Sequence, residues 1–296
     1  LRNARMPQIQ LRPTQFELGR SQTLPVPYGG LNLRSDITAL QPNEARVLEN
    51  WYPSLGQLGL RPGYASHGTG LSSGEVKTLA AFVGYSASKL IAGANGKLFN
   101  VTPAGAGTEL ATGFADDRWQ TALYSDRLFF VNGTDNPQVY DGSTVAGIVW
   151  AGSGLTDNDL VNIALVRNRL WFCENNKAHV WYAGSGQITA ASSLTKFQLD
   201  QIAGGGKCMA VGAWSRDGGD GADDLTIFVL STGEIIVYQG TDPSTAQTFA
   251  LVGLYQLGAP IGRRCFLRIS GNLWIVCVDG VIPLTDSSTV GYGPAG

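Results

Sequence analysis

A few short stretches carry residue types able to do chemistry. Gly70-Leu71-Ser72-Ser73-Gly74 spells G-x-S-x-G, a pattern that lifts a nucleophilic serine onto a sharp turn between a buried strand and a helix. Polar, glycine-rich sequence flanks it on both sides, so it reads as a loop. Gly204-Gly205-Gly206-Lys207 has the glycines of a phosphate cradle, but Cys208 stands where a Ser or Thr is needed and no helix signal follows. A strand opening is the better reading. His67 and His179 are the only histidines, which leaves few ways to build a His-activated nucleophile or a zinc site. His67 lies in a Gly/Ser loop and is expected in solvent, and His179, just before Val180-Trp181, is expected on a sheet surface.

The stretch Arg216 to Asp224 places Asp217, Asp220, Asp223 and Asp224 among glycines. That composition can hold a hard cation, yet it lacks the spacing and distal glutamate of a calcium loop; it is expected to be a long exposed turn. Cys173, Cys208, Cys265 and Cys277 sit in or beside apolar strand-like runs without close spacing, as buried free thiols of a reducing compartment would. These residues predict no catalytic, cofactor-binding or metal site and no cofactor.

The elements that position these residues come from a repeat. Asp126 to Val131 reads DRLFFV, and Asn168 to Cys173 reads NRLWFC, a recurrence at about 40 residues that signals architecture before function. Leu128 to Val131 is apolar on both alternating faces, the mark of a strand covered on both sides. Asn132-Gly133, a second strand at Val139-Tyr140, and Asp141-Gly142 follow. The same order recurs from Leu90, Leu170, Thr226 and Leu273, each copy preceded by a further apolar strand: Leu79 to Val83, Thr121 to Tyr124, Asn162 to Val166, Met209 to Ala213, and Cys265 to Ile269. Short polar turns such as Ser125-Asp126 and Arg167-Asn168 join the paired strands as antiparallel hairpins, and Asp279-Gly280 is expected to make a type I′ turn. Each unit is thus a meander of three or four strands.

Such a meander cannot hide both apolar faces alone, so copies must stack, and radial closure does this most economically. The fold predicted is all-β: a β-propeller of about five to six blades, with a two-sheet sandwich or paired barrels as alternatives. Residues 1–27 read as an extended arm and 28–296 as the propeller, whose opening stretch 28–75 is irregular. Within it, Pro42 to Asn50 is expected to form one short helix, with Pro42 in its first turn and Pro53 beyond its end. The last repeat stops short of a fourth strand, so a closing strand is owed. The tryptophans suggest a sugar-stacking surface, but Trp171, Trp181 and Trp274 fall inside the repeat and are expected to pack between blades.

Charged residues make up only 15% of the chain and the net charge is -2, which disfavours tight non-specific nucleic-acid binding. No apolar run approaches the length of about 20 residues that crosses a bilayer.

The segment from Tyr28 to Tyr64 asks for more than propeller physics. Its "GGLN" opening, "NEARVLENWYP" middle and "LRPGY" close, followed by β repeats, resemble the tail hub or nozzle proteins of short-tailed bacteriophages, also called packaged-DNA stabilisation proteins. The residues carrying the resemblance are Gly29, Gly30, Asn32, Asn50, Trp51, Arg61, Pro62 and Gly63. All are expected to be structural: Gly30 and Gly63 allow tight turns, and Arg61 anchors the helix end or a carboxylate. The resemblance implies a virion protein without enzymatic activity, made in the host bacterial cytoplasm and built into the tail. It implies a homohexameric ring below the portal and adaptor proteins that retains packaged DNA. Double-stranded DNA would pass through that ring on ejection, with tail fibre or spike proteins attached nearby and no membrane insertion by this chain. A carbohydrate-binding or carbohydrate-cleaving propeller is the alternative, and a peptide-binding propeller adaptor a further one.

Overall fold

The computed structural model describes residues 23, 25–71, 74–190, 193–199, 204–214, 225–269 and 272–284. The chain divides into two compact units, Leu1–Ala65 and Ser66–Gly296.

The first unit is small. Strand β1 (Gly30–Leu31) pairs in parallel with β2 (Glu44–Ala45), and β3 (Trp51–Ser54) forms a hairpin with β4 (Gln57–Leu60). A 3-10 turn, Ile37–Ala39, is capped by Asp36, whose side chain accepts from the Thr38 amide. The short helix expected over 42–50 is therefore not formed: Glu44 and Ala45 are paired as strand and Asn50 adopts a left-handed φ of 61°. Nine residues are too few to sustain a helix without packing. Here the backbone has a better bargain, because the Glu44 carboxylate accepts from the Gln41 amide and from Asn32.

The second unit opens with β5 (Gly68–Thr69) and then runs through five antiparallel sheets taken in chain order. Blade 1 contains β6 (Val76–Val83), β7 (Ser88–Ala94) and β8 (Lys97–Asn100); after β9 (Gly105–Ala106), which pairs in parallel with β5, its outer strand is β10 (Thr108–Thr112). Blade 2 is β11 (Gln120–Tyr124), β12 (Arg127–Val131), β13 (Gln138–Tyr140) and β14 (Val145–Gly147). Blade 3 is β15 (Leu160–Val166), β16 (Arg169–Glu174), β17 (Val180–Tyr182) and β18 (Thr195–Phe197). Blade 4 is β19 (Cys208–Trp214), β20 (Leu225–Leu230), β21 (Glu234–Gly240) and β22 (Phe249–Gln256). Blade 5 is β23 (Phe266–Ile269), β24 (Asn272–Cys277) and β25 (Gly280–Pro283). This is a five-bladed β-propeller.

The repeat maps onto it without exception: the Leu90, Leu128, Leu170, Thr226 and Leu273 runs are the second strands β7, β12, β16, β20 and β24. The apolar runs before them are the first strands, which stand at the axis. Strands β11, β15, β19 and β23 together line a central cavity of about 260 Å³. Gly212 lets two of them approach, since a Cβ there would meet the Phe266 ring at 3.0 Å. Ser125-Asp126 and Arg167-Asn168 both take positive φ, as type I′ hairpin turns require. At blade 5 the turn differs from expectation: only Gly280 has positive φ and it pairs with Cys277, so Val278-Asp279 form the bend.

Four apolar cores fill the seams between successive blades. Phe82, Ile91, Trp119 and Phe130 lie between blades 1 and 2; Phe129, Trp150 and Phe172 lie between blades 2 and 3. Trp171, Phe228 and Tyr238 occupy the seam of blades 3 and 4, and Trp214, Ile235 and Ile275 that of blades 4 and 5. Among the described residues no such cluster joins blade 5 to blade 1, and no strand pairs outside β25.

Candidate functional site

The propeller's most developed polar constellation lies where the first strands begin, at one end of the axis. Thr78 occupies an inward position of β6, in line with Ala80 and Phe82, as a buried hydroxyl. It accepts from the Trp119 amide at 2.8 Å and donates to the Asp117 carbonyl at 2.6 Å, linking blade 1 to the start of blade 2. Asn162 is the corresponding buried polar residue of β15; its Oδ1 accepts from the Val211 amide of blade 4 at 3.1 Å and its Nδ2 donates to the Arg263 carbonyl at 3.4 Å. Arg264, just before blade 5, completes the circuit. Its guanidinium donates to the Lys77 carbonyl at 2.9 Å, Thr78 Oγ1 at 3.0 Å and the Trp119 carbonyl at 2.7 Å. Side chains from three positions thus touch all five blades.

The electrostatics fit a clamp. Burial holds the Arg264 guanidinium below its ordinary pKa, with nearby Arg118 adding to the effect and Asp116 opposing it. Arg263 is lowered as well, again by burial, while its Nη2 donates to Asn175 Oδ1 at 2.7 Å. All of Arg264's acceptors are neutral oxygens, which orient a guanidinium through its planar fork without forming an ion pair.

A second buried constellation sits in blade 3. Glu174, only 1% exposed, accepts from Trp181 Nε1 at 2.7 Å and pairs with His179 Nε2 at 2.9 Å. His179 is therefore tied into the blade interior rather than lying on its surface as expected from sequence. Asp157, before β15, is half-buried. Its Oδ1 accepts from the Trp150 amide, its Oδ2 is buried without a hydrogen-bond partner, and burial raises its pKa to about 6.

The eight signature residues fall within the first unit. Asn32 organises them: its Oδ1 accepts from the amides of Arg34 and Ser35, and its Nδ2 donates to Glu44 and to Ser35 Oγ. That bond to Asn32, with the Gln41 amide, lowers the Glu44 pKa. The Gly29 amide bonds the Asn43 carbonyl, and Gly30 has a φ of 89° that other residues resist. Asn50 accepts from the Arg61 amide through its carbonyl. The Arg61 guanidinium lies 5.7 Å from the Tyr64 ring centre, rather than at a helix end or a carboxylate. Trp51 and Pro62 are exposed. Gly63 has open space around it and no positive φ, so the tight turn expected there is not what a glycine is needed for.

Other sequence candidates resolve simply. Cys208 begins a strand, so the glycines before it are a strand opening. His67 stays exposed, with Nε2 2.8 Å from the Val101 carbonyl. Ser72, Ser73 and the loop 215–224 lie outside the described residues. Among the described residues no group of three His, Cys, Asp or Glu side chains is placed to hold a metal. Trp171 and Trp181 are buried between blades as expected, whereas Trp274 keeps part of its surface accessible. Sequence reasoning missed Thr78, Asn162, Glu174 and Arg264. The available signal was a polar residue interrupting an apolar strand run, as Asn162 does between Val161 and Ile163.

Fold and site together define a β-propeller whose blades are pinned at one axial end by buried side-chain hydrogen bonds. No protein-family profile and no curated protein matches the chain. Among solved structures it is similar to "BBS1N in complex with ARL6DN, soaked with mercury", at 13% identity and a TM-score of 0.47, covering 72% of this chain and 65% of that one. It is also similar to the same complex soaked with lead, at 11% identity and a TM-score of 0.48, covering 77% and 66%. The chain thus spans slightly less than two thirds of the length of those two structures' chains.

Proposed function

We propose that this protein is a non-catalytic assembly subunit: a ring-forming hub or nozzle component of a bacteriophage tail, in which the propeller serves as a rigid block and the first unit as a contact surface. One observation carries the reading. Among the described residues, 26–64 hold eleven of the twenty-three exposed large hydrophobic side chains, including Leu33, Ile37, Val47, Tyr52, Leu55 and Tyr64. So dense a display of apolar surface on a unit this small is characteristic of a face that another protein covers. The sequence signature from Tyr28 to Tyr64 supports the particular assembly, a homohexamer that meets portal, adaptor and fibre proteins and conducts double-stranded DNA. The weak net charge of -2 suits a passage that must release DNA.

Light scattering and negative-stain imaging of the purified chain across a concentration series test this. Closed six-membered rings are the expected result, and the double variant Tyr52→Asp with Leu55→Asp should be monomeric while keeping the propeller's thermal transition. A wild-type chain that stays monomeric at high concentration, or that binds or cleaves glycans on an array, would replace this reading with the carbohydrate one.

A further inference from the structure

Four cysteines scattered over more than a hundred positions of sequence are gathered by the fold toward one end of blades 3 to 5. Cys173 is the last residue but one of β16, Cys208 opens β19, Cys265 directly precedes β23, and Cys277 ends β24. All four are free and buried. Two of them meet: Cys173 Sγ and Cys208 Sγ are 3.2 Å apart, with the residues 0% and 1% exposed and 35 positions apart in the chain. They face each other across the seam between blades 3 and 4, where the Cys208 amide also bonds the Lys177 carbonyl.

We propose that Cys173 and Cys208 form an oxidisable dithiol that closes to a disulfide stapling blade 3 to blade 4. Disulfide sulfurs lie about 2.05 Å apart, so closure asks for a shift of about one ångström, within reach of side-chain rotation at the two cysteines. This goes beyond the assembly reading and does not rest on it. With hydrogen peroxide as oxidant, the Cys173 thiolate attacks one peroxide oxygen. The O–O bond breaks, hydroxide leaves and takes up a proton, and a sulfenic acid remains on Cys173. The Cys208 sulfur then attacks that sulfur; the S–S bond forms, the S–O bond breaks and water departs with the thiol proton. Two thiols lose two electrons and two protons, and one peroxide becomes two waters.

The surroundings set the rate. Burial raises the Cys173 thiol pKa well above its ordinary value, with Cys208 adding to it, while the Arg263 guanidinium nearby favours the thiolate. Oxidation at neutral pH is accordingly slow and accelerates as pH rises. Once formed, the link shortens the freely moving chain of the unfolded state, and so raises thermal stability.

The full chain, incubated with hydrogen peroxide and digested without reductant, should yield one peptide pair joined through Cys173 and Cys208. The free-thiol count should fall from four to two. The thermal midpoint should rise by about 5–10 °C and return on treatment with dithiothreitol. Cys208→Ser should lose both the link and the shift. Because that variant disturbs a packed seam, the double variant Cys265→Ser with Cys277→Ser provides the second arm: it retains only the two facing thiols and must still form the link. Persistence of all thiols, sulfinic acid without a cross-link, or a link that uses Cys265 or Cys277 would each overturn the assignment.

Discussion

Two seams of the same propeller are held by opposite chemistry. Between blades 3 and 4 the contact is largely apolar and aromatic: Trp171 lies 5.4 Å from Phe228 and 5.7 Å from Phe249, and Phe197 meets Tyr238 edge-on at 5.2 Å. Between blades 5 and 1, among the described residues, Arg264 makes three hydrogen bonds onto the Lys77, Thr78 and Trp119 oxygens. Around it, β6 turns Leu79 and Val83 outward and blade 5 leaves Leu267 and Ile269 half-exposed. The apolar seam draws its stability from area removed from water and tolerates small shifts. The polar seam depends on geometry, since a guanidinium that loses its acceptors is left partly buried and unsatisfied. A repeat can therefore close by a contact chemically unlike those that built it.

The largest expected effect comes from hollowing the apolar seam. Phe228→Ala should cost about 3–5 kcal/mol in urea-induced unfolding, the range for a fully buried aromatic. Arg264→Ala should cost less, about 2 kcal/mol, but with a local signature. Amide hydrogen exchange should speed up in β6 and β23 while β16 and β20 stay protected, and Arg264→Lys should not restore it, because a single ammonium cannot reach all three oxygens. Uniform deprotection of all blades would show that Arg264 is not a seam clamp. Next is Asp157, which tests whether the seam of blades 2 and 3 carries an electrostatic cost. Its folded-state pKa of about 6 exceeds the ordinary carboxylate value of 3.8. Its protonated form is thus favoured by folding, a contribution fully present below about pH 4 and lost as pH rises through about 6. Asp157→Asn, which keeps an acceptor for the Trp150 amide, should therefore raise stability at pH 8 by about 1 kcal/mol, discounted for partial exposure. The gain should vanish near pH 4; a gain that persists there would assign it to something other than the charge. The smallest contrast lies in the first unit: Gly30→Ala should cost about 1 kcal/mol at a φ of 89°, while Gly63→Ala, in open space, should change stability by less than about 0.5 kcal/mol in the same assay.

Legibility followed the source of each residue's energy. The second strands were readable because both of their faces are buried, which leaves a continuous apolar run such as Leu128 to Val131. Turns at Ser125-Asp126 and Arg167-Asn168 were readable as short polar breaks between apolar runs, with Asp126 and Asn168 of the types that tolerate positive φ. The outer strands were not: Thr108–Thr112 and Val145–Gly147 are short and largely outside the core, and their sequence carries no pattern. The stretch 42–50 misled because Glu44, Ala45 and Leu48 have good helix propensity, which tertiary pairing to Gly30 and Leu31 overrides. The site was the least legible part. Thr78 and Arg264 are 186 positions apart, and the thiols of Cys173 and Cys208 are separated by 35; neither pairing leaves any mark in local sequence.

By itself the order of apolar, polar and turn residues determined that this chain makes repeated β-meanders, where each begins, and which strand of each is innermost to its sheet, because burial and backbone φ act on residues within a few positions of one another. How many blades close the ring, which side chain spans the last seam, and which distant cysteines and hydroxyls meet were decided only in three dimensions, because those contacts form between chain segments whose proximity no local preference encodes.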